Sequence, residues 1–231
     1  MRCRLACLVL WAVIGAGCAQ DTARLAEGLR RTDAAPRIAL MPMDILLSRV
    51  SAGGFSQPVA DWMASADYNL TQALRQAAVE RGLVLRSVDP APAAAPGLRQ
   101  AQLLQDAVQD AILLHHFGDA RDRLPSKFGS LRWSLGPTAR QLRDAVSADY
   151  ALFVRLRDSY SSAGRRVLAV VSMVLVGMPL SGGQQVGIAT LVDLRTGQVV
   201  WARALDRSTG DLRDPGPALE TARLLLKDLP Q

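Results

Sequence analysis

Residues 186–205, VGIATLVDLRTGQVVWARAL, alternate along two runs joined by a short turn. Val186, Ile188, Thr190 and Val192 interleave with Gly187, Ala189 and Leu191. Beyond the turn, Val199, Trp201, Arg203 and Leu205 interleave with Val200, Ala202 and Ala204. A period of two predicts a pair of strands, each set on one sheet face. Gly197 closes the LRTG turn, where a short hairpin with a bulge needs a residue that takes positive φ at little steric cost. Trp201 reads as a core anchor alternating inward with Val199, and Asp193 as a turn residue.

Other segments carry comparable signals. Residues 37–41 (RIALM) read as a first core strand stopped by Pro42, and 44–51 (DILLSRVS) extend or follow it before Gly53 and Gly54 break the chain. Ser56 is placed as an N-cap with Pro58 in the first turn. Val59, Trp62, Ala66, Leu70, Ala73, Leu74 and Ala77 then form one face of a helix over about 57–81, with Gly82 after its end and a strand at 83–88. Strand, helix, strand predicts a βαβ unit with a right-handed crossover.

Residues 89–97 are a Pro/Ala linker or exposed loop. A helix is predicted over 98–117, with Leu103, Leu104, Ala107, Ala111 and Leu114 inward. After an irregular stretch holding Trp133, Pro137 opens a helix to about Val146, with Leu142 and Val146 inward. Residues 149–158 (DYALFVRLRD) are a strand with Tyr150, Leu152, Val154 and Leu156 on one face. The run 167–176 (VLAVVSMVLV) is read as a buried or interfacial helix, although its valines suit a strand equally well. It is too short to span a bilayer as a helix. Residues 206–216 form a polar loop, and 217–229 a closing helix with Leu219, Ala222, Leu225 or Leu226, and Leu229 inward. The expected fold is α/β (α+β): a mixed sheet of about five strands with helices packed on it. A single domain over 36–231 is expected, with a helical insertion at about 90–147. There is no internal repeat.

The amino terminus changes the picture most. Arg2 and Arg4 precede an apolar run over 5–14, and then Gly15, Ala16 and Gly17 lead to Cys18. A charged start, a short apolar run and small residues read as an export signal over 1–17. Residues 18–35 read as a tether, with a short helix over 21–31 carrying Leu25 and Leu29 on one side.

Charge and cysteine content narrow the classes further. The formal charge is +6. Without Arg2 and Arg4, 25 cationic residues face 21 carboxylates, giving +4. Lys127 and Lys227 are the only lysines, and acidic residues interleave with the arginines. A nucleic-acid binder would show a one-signed stripe, so no nucleic-acid partner is expected. The three cysteines, Cys3, Cys7 and Cys18, all precede residue 19, so the remainder has neither disulfides nor cysteine-ligated metal.

Candidate chemistry is sparse. His115 and His116 are the only histidines. Neighbours on a helix point about 100° apart, so they read as a helix-end polar pair rather than two ligands, even with Asp119 four residues beyond His115. No Gly-x-Ser-x-Gly elbow is present, and the SGG at 181–183 lacks the lysine of a P-loop. Asp158, Asp193 and Asp206 read as strand-end turn and cap residues. No catalytic residue, metal or cofactor is expected. The small polar stretch 159–164 (SYSSAG) follows a core strand, and its Ser159, Tyr160, Ser161 and Ser162 form the candidate binding loop, with a simple turn as the alternative.

The residues around Gly17 and Cys18 resemble the lipobox of bacterial lipoproteins, with Gly15 where those proteins usually carry leucine. The resemblance implies cleavage between Gly17 and Cys18 and attachment of fatty acyl chains such as palmitate to Cys18. Several acyl chains anchor firmly, at roughly 0.8 kcal/mol per buried CH₂. Ala19, rather than an aspartate, implies sorting to the outer membrane, facing the periplasm. The RIALMP strand, the LTQALRQAAVERG helix, the ADYALFVRLRD strand and the LVDLRTGQVVW hairpin resemble the broad group of envelope lipoproteins with a fold like the amino-terminal domain of TolB. That group includes curli-type secretion-channel subunits and activators of penicillin-binding proteins.

The expectation is a non-enzymatic, lipid-anchored periplasmic module that binds another envelope protein in assembly, transport or cell-wall synthesis. Its membrane contact is the anchor. The alternatives are a subunit of an oligomeric secretion channel and, less favoured, an envelope hydrolase. A transmembrane barrel is disfavoured because 167–176 does not alternate and the hairpin carries Arg203.

Overall fold

The structure is a computed structural model that describes residues 22–25, 36–89, 96–127, 129–162 and 183–230. Cys18 and the 167–176 run lie outside the described residues. Eight strands form one mixed sheet: β1 (Thr22–Leu25), β2 (Ile38–Leu40), β3 (Asp44–Val50), β4 (Ser56–Pro58), β5 (Leu85–Ser87), β6 (Tyr150–Ser161), β7 (Gly183–Asp193) and β8 (Val199–Arg207). Among the described residues four α-helices accompany it: α1 (Ala60–Val79), α2 (Pro96–Ile112), α3 (Thr138–Val146) and α4 (Pro215–Leu225). The expected α/β class is therefore observed, with more strands than the sequence predicts.

The order is β1-β8-β7-β6-β2-β5. The long β6 shares one edge between two strands: β2 runs parallel to its first residues and β3 to its last seven, Val50 opposite Ser161. β2 and β5 are parallel, as the βαβ reading requires, but β3 and β4 intervene before α1. β4 pairs antiparallel with β3.

Alternation along β6 divides the core. Leu152, Val154 and Leu156 face α1 and α4 with Leu70, Leu74, Ala222 and Leu225. Ala151 and Phe153 face α2 and α3 with Ala101, Val108, Ile112 and Leu142. Helices thus cover both faces of the sheet, and the helical stretch read as an insertion supplies one of these two layers. Two faces of apolar contact explain why the central strands read as nearly continuous hydrophobic runs.

Several local expectations are corrected. Ser56 is a strand residue, not an N-cap, because 56–58 find β3 as a partner. The helix starts after an extended Val59, whose amide donates to the Leu47 carbonyl at 3.0 Å. Thr22–Leu25 is a strand where a tether helix is predicted, because β8 offers a free edge opposite it. α2 turns the opposite way from its expected orientation. Leu98, Ala101, Val108 and Ile112 are buried together with Gln105 and Gln109, whereas Leu103 is 60% and Leu114 50% exposed. The amides decide the face: Gln105 and Gln109 donate to the Thr190 hydroxyl on β7 at 2.7 and 3.0 Å. The helix also widens to a π-turn over Leu113–Phe117 before it ends.

The hairpin β7–β8 forms as expected, with Gly197 at φ 78°. A bulge alters its facing. Leu191 pairs with Trp201 but Val192 with Val199, which leaves Val200 without an opposite residue. One extra residue flips the pleat. Val199 joins the α2/α3 side, while Trp201, fully buried, joins the α1/α4 side. They are not co-facial as strict alternation predicts.

Candidate functional site

A cleft of about 570 Å³ opens at the end of the sheet where β6 finishes and β7 begins. Ser159, Tyr160, Ser161 and Ser162 line one wall, with Gly183–Gln185 opposite in the ladder. Arg49 at the end of β3, Trp62 in the first turn of α1, and Asp211 and Arg213 in the loop after β8 complete it.

The floor is a chain of hydrogen bonds built on side chains that strand periodicity puts together. Asp158 and Tyr160 are two apart on β6 and share a face. Tyr160 Oη donates to Asp158 Oδ2 at 2.6 Å, and Gln185 Nε2 donates to the same oxygen at 2.7 Å. Gln185 Oε1 accepts from Arg207 Nε at 2.9 Å and from Thr221 Oγ1 at 3.0 Å. Arg207 also donates to Glu220 at 2.9 Å, and the Leu212 amide donates to Tyr160 Oη at 3.0 Å. Burial raises the pKa of Asp158 against the opposing effect of its two donors. Burial, with the hydrogen bond to Asp158, also pushes the Tyr160 phenol far above its ordinary range.

The walls are aromatic and cationic. Trp62 meets Tyr160 edge-on, with ring centroids 5.5 Å apart. The Arg213 guanidinium lies 4.0 Å from the Tyr160 centroid and 4.6 Å from that of Trp62, and Arg49 lies 5.0 Å from Trp62. Asp211 holds Arg213 in place with contacts of 2.8 and 2.5 Å. Burial works against the Asp211 charge, but the hydrogen bonds and charge of Arg213 outweigh it and keep the carboxyl below its usual range. Ser159 Oγ exchanges hydrogen bonds with the Gln184 backbone, and the Ser161 hydroxyl is buried without a hydrogen-bond partner among the described residues.

Ser159, Tyr160 and Ser161 are not a loop or turn but the last residues of β6, held there by pairing with β3 and β7, and the structure gathers them with Ser162 and Asp158 into one cleft. Asp206 accepts from Gln184 Nε2 at 2.8 Å nearby. Asp193 stands at the opposite end of β7, where its carboxylate accepts from the amides of Arg195 and Thr196 and closes the turn. The histidines sit elsewhere. His116 Nε2 accepts from Trp133 Nε1 at 2.8 Å, and His115 Nδ1 contacts the Asp122 carbonyl at 2.5 Å. Asp119 pairs with Arg121 instead of His115. Among the described residues no group of three His, Cys, Asp or Glu converges on a metal-sized site, and no helix is long and apolar enough to cross a membrane.

Arg49, Trp62, Asp211, Arg213 and Gln185 escape sequence reasoning. Trp62 satisfies the helical period of α1 and reads as core, yet it is half-buried at the cleft wall. The DLRD sequence at 211–214 is the one local signal, since an aspartate two before an arginine can form this short-range pair.

No protein-family model matches the chain, and no curated protein matches it. Among solved structures, the chain is similar to the PelC dodecamer from Paraburkholderia phytofirmans, with 13% identity and a TM-score of 0.42 over 89% of this chain and 94% of that one. It is also similar to the LpoB C-terminal domain from Salmonella enterica, with 14% identity and a TM-score of 0.32 over 80% of this chain and 88% of that one. Likenesses of this degree leave the fold class resting on the sheet and helices described above.

Proposed function

We propose that the protein is a lipid-anchored lipoprotein of the outer membrane, facing the periplasm, that binds another envelope protein without performing chemistry of its own. The role belongs to envelope assembly, transport or cell-wall synthesis. The convergence of Trp62, Tyr160, Arg49 and Arg213 on one cleft carries the reading. Tryptophan, tyrosine and arginine dominate binding hot spots, because they bury large area and keep a polar end for specificity. The cleft's ionisable groups point the same way. Asp158 is tied to Tyr160 and Gln185, Asp211 to Arg213, and the Ser159 hydroxyl to backbone, so these groups are engaged in holding the cleft together. The charged start, apolar run and small residues before Cys18 support the anchor.

The test is crosslinking in living cells of the anchored protein, followed by identification of what is captured. One recurrent envelope protein, lost when Trp62→Ala is introduced, is the expected result. Capture unaffected by that change, or none at all, contradicts a recognition role for the cleft.

A further inference from the structure

The cleft floor holds a hydrogen-bonding capacity that the protein itself leaves unused. Asp158 is only 4% exposed. Its Oδ2 is filled by two neutral donors, the Tyr160 hydroxyl at 2.6 Å and the Gln185 amide at 2.7 Å. Its other oxygen, Oδ1, accepts no hydrogen bond among the described residues. It is not sealed in the interior, and it opens on the cleft that Asp158 lines.

The charge is as unmatched as the oxygen. Asp158 forms no ion pair among the described residues. The neighbouring cations are committed elsewhere: Arg207 to Glu220 at 2.9 Å, Arg213 to Asp211 at 2.5 Å, and Arg49 lies over Trp62. A carboxylate withdrawn from water is costly unless a cation or further donors meet it. Nor does the internal network need the charge. A carboxamide oxygen in the place of Oδ2 accepts from Tyr160 and Gln185 just as well. A buried carboxylate with one oxygen free at the base of a cleft is placed to receive a donor from outside.

The geometry narrows which donor. With Oδ2 filled, a guanidinium cannot close its two-pronged fork on this carboxylate, whereas an ammonium meets a single oxygen. Tyr160, bonded to Asp158, and Trp62, with its ring centroid 5.5 Å from that of Tyr160, line the approach. Rings of this kind give apolar surface along which a four-carbon stem packs while its charged head reaches the polar floor.

We propose that Asp158 is a specificity residue of the cleft, and that its Oδ1 takes the ammonium of a lysine presented by the envelope protein bound there. The proposal rests on the recognition role of the cleft. It makes Asp158 a group whose charge serves binding at the expense of the fold.

The test places a photoreactive residue at Ser162 of the anchored protein in living cells and maps its attachment on the captured protein. Asp158→Asn is expected to reduce the adduct at least tenfold, while its urea midpoint at neutral pH is no lower than the parent's and its amount in the membrane fraction is unchanged. Replacing the captured protein's lysine nearest the attachment by glutamine, read against the unaltered chain, is expected to give the same loss. Arginine at that place restores only part of the yield, and the two changes together lose no more than either alone. An adduct undiminished in Asp158→Asn, a captured segment without a lysine, full yield with arginine, or losses that multiply overturns the pairing and leaves the recognition role of the cleft standing. Absence of any adduct from the parent overturns the recognition role, and the pairing with it.

Discussion

Tyr160 donates its hydroxyl to Asp158 at 2.6 Å, so the aromatic wall of the cleft is fixed to the buried carboxylate beneath it. Both residues project from one face of β6, and Gln185 on β7 donates to the same carboxylate oxygen. The Asp158 side chain is therefore ordered and its charge only partly compensated.

This arrangement predicts a pH dependence. A carboxyl whose pKa is raised on folding contributes stability that is full below its unfolded value, about 3.9, and is lost as pH rises through the folded value. Asp158→Asn keeps an oxygen that accepts from both Tyr160 and Gln185 while removing the buried charge. The variant is expected to be more stable than the parent at neutral pH, with the difference shrinking on acidification. Urea unfolding midpoints across pH check this. A variant that is less stable at neutral pH contradicts it.

Gly187 sits where β7 crosses Leu156. A Cβ there falls 2.3 Å from Leu156 Cδ2 and 2.7 Å from the Arg155 carbonyl oxygen. Gly187→Ala is expected to cost about 1–3 kcal/mol, as overpacking does. Gly97, in the first turn of α2, has only Gln141 Oε1 near its Cβ position, at 3.7 Å, so Gly97→Ala is expected to stabilise by about 0.4–1 kcal/mol. Thermal denaturation of the two variants should move in opposite directions.

The Arg203 side chain is 1% exposed and pairs with Asp228 at 3.1 Å. Burial lowers the pKa of the guanidinium, and the aspartate opposes that shift. Asp228 has φ 58°, which asparagine tolerates, so Asp228→Asn removes charge with little change of backbone. It is expected to cost about 1–3 kcal/mol by weakening the charge-assisted hydrogen bond that compensates a buried cation. Arg203→Met is expected to be neutral or stabilising, because it removes the desolvation cost with the charge. Equal losses from both variants in chemical denaturation would contradict this account.

The proposed anchor makes a separate prediction. Cys18→Ala is expected to abolish uptake of labelled palmitate and to release the protein from the membrane fraction. Label retained by the variant contradicts lipidation at this residue.

Legibility in the sequence followed periodicity. The β7–β8 hairpin, β6, and α1 with Leu70 and Leu74 were readable because one period dominates each. β1 and β4 were not, since TARL and SQP carry no alternation and become strands only because β8 and β3 offer edges. α2 carries apolar side chains around most of its circumference, and Thr190, distant in sequence, selects the face bearing Gln105 and Gln109. The cleft was visible only through Ser159–Ser162. Arg49, Trp62 and Arg213 lie far apart in the chain, and their joint stacking arises from parallel pairing of β3 with β6 and from the loop after β8.

The central claim, recognition of an envelope protein in the cleft, is tested most directly by a photoreactive residue placed at Ser162 or Thr209, with Val79 as the control. The account predicts one shared adduct from the two cleft positions, none from Val79, and loss of the adduct in Trp62→Ala. Adducts of equal yield from all three positions, or an adduct that persists in Trp62→Ala, would contradict it.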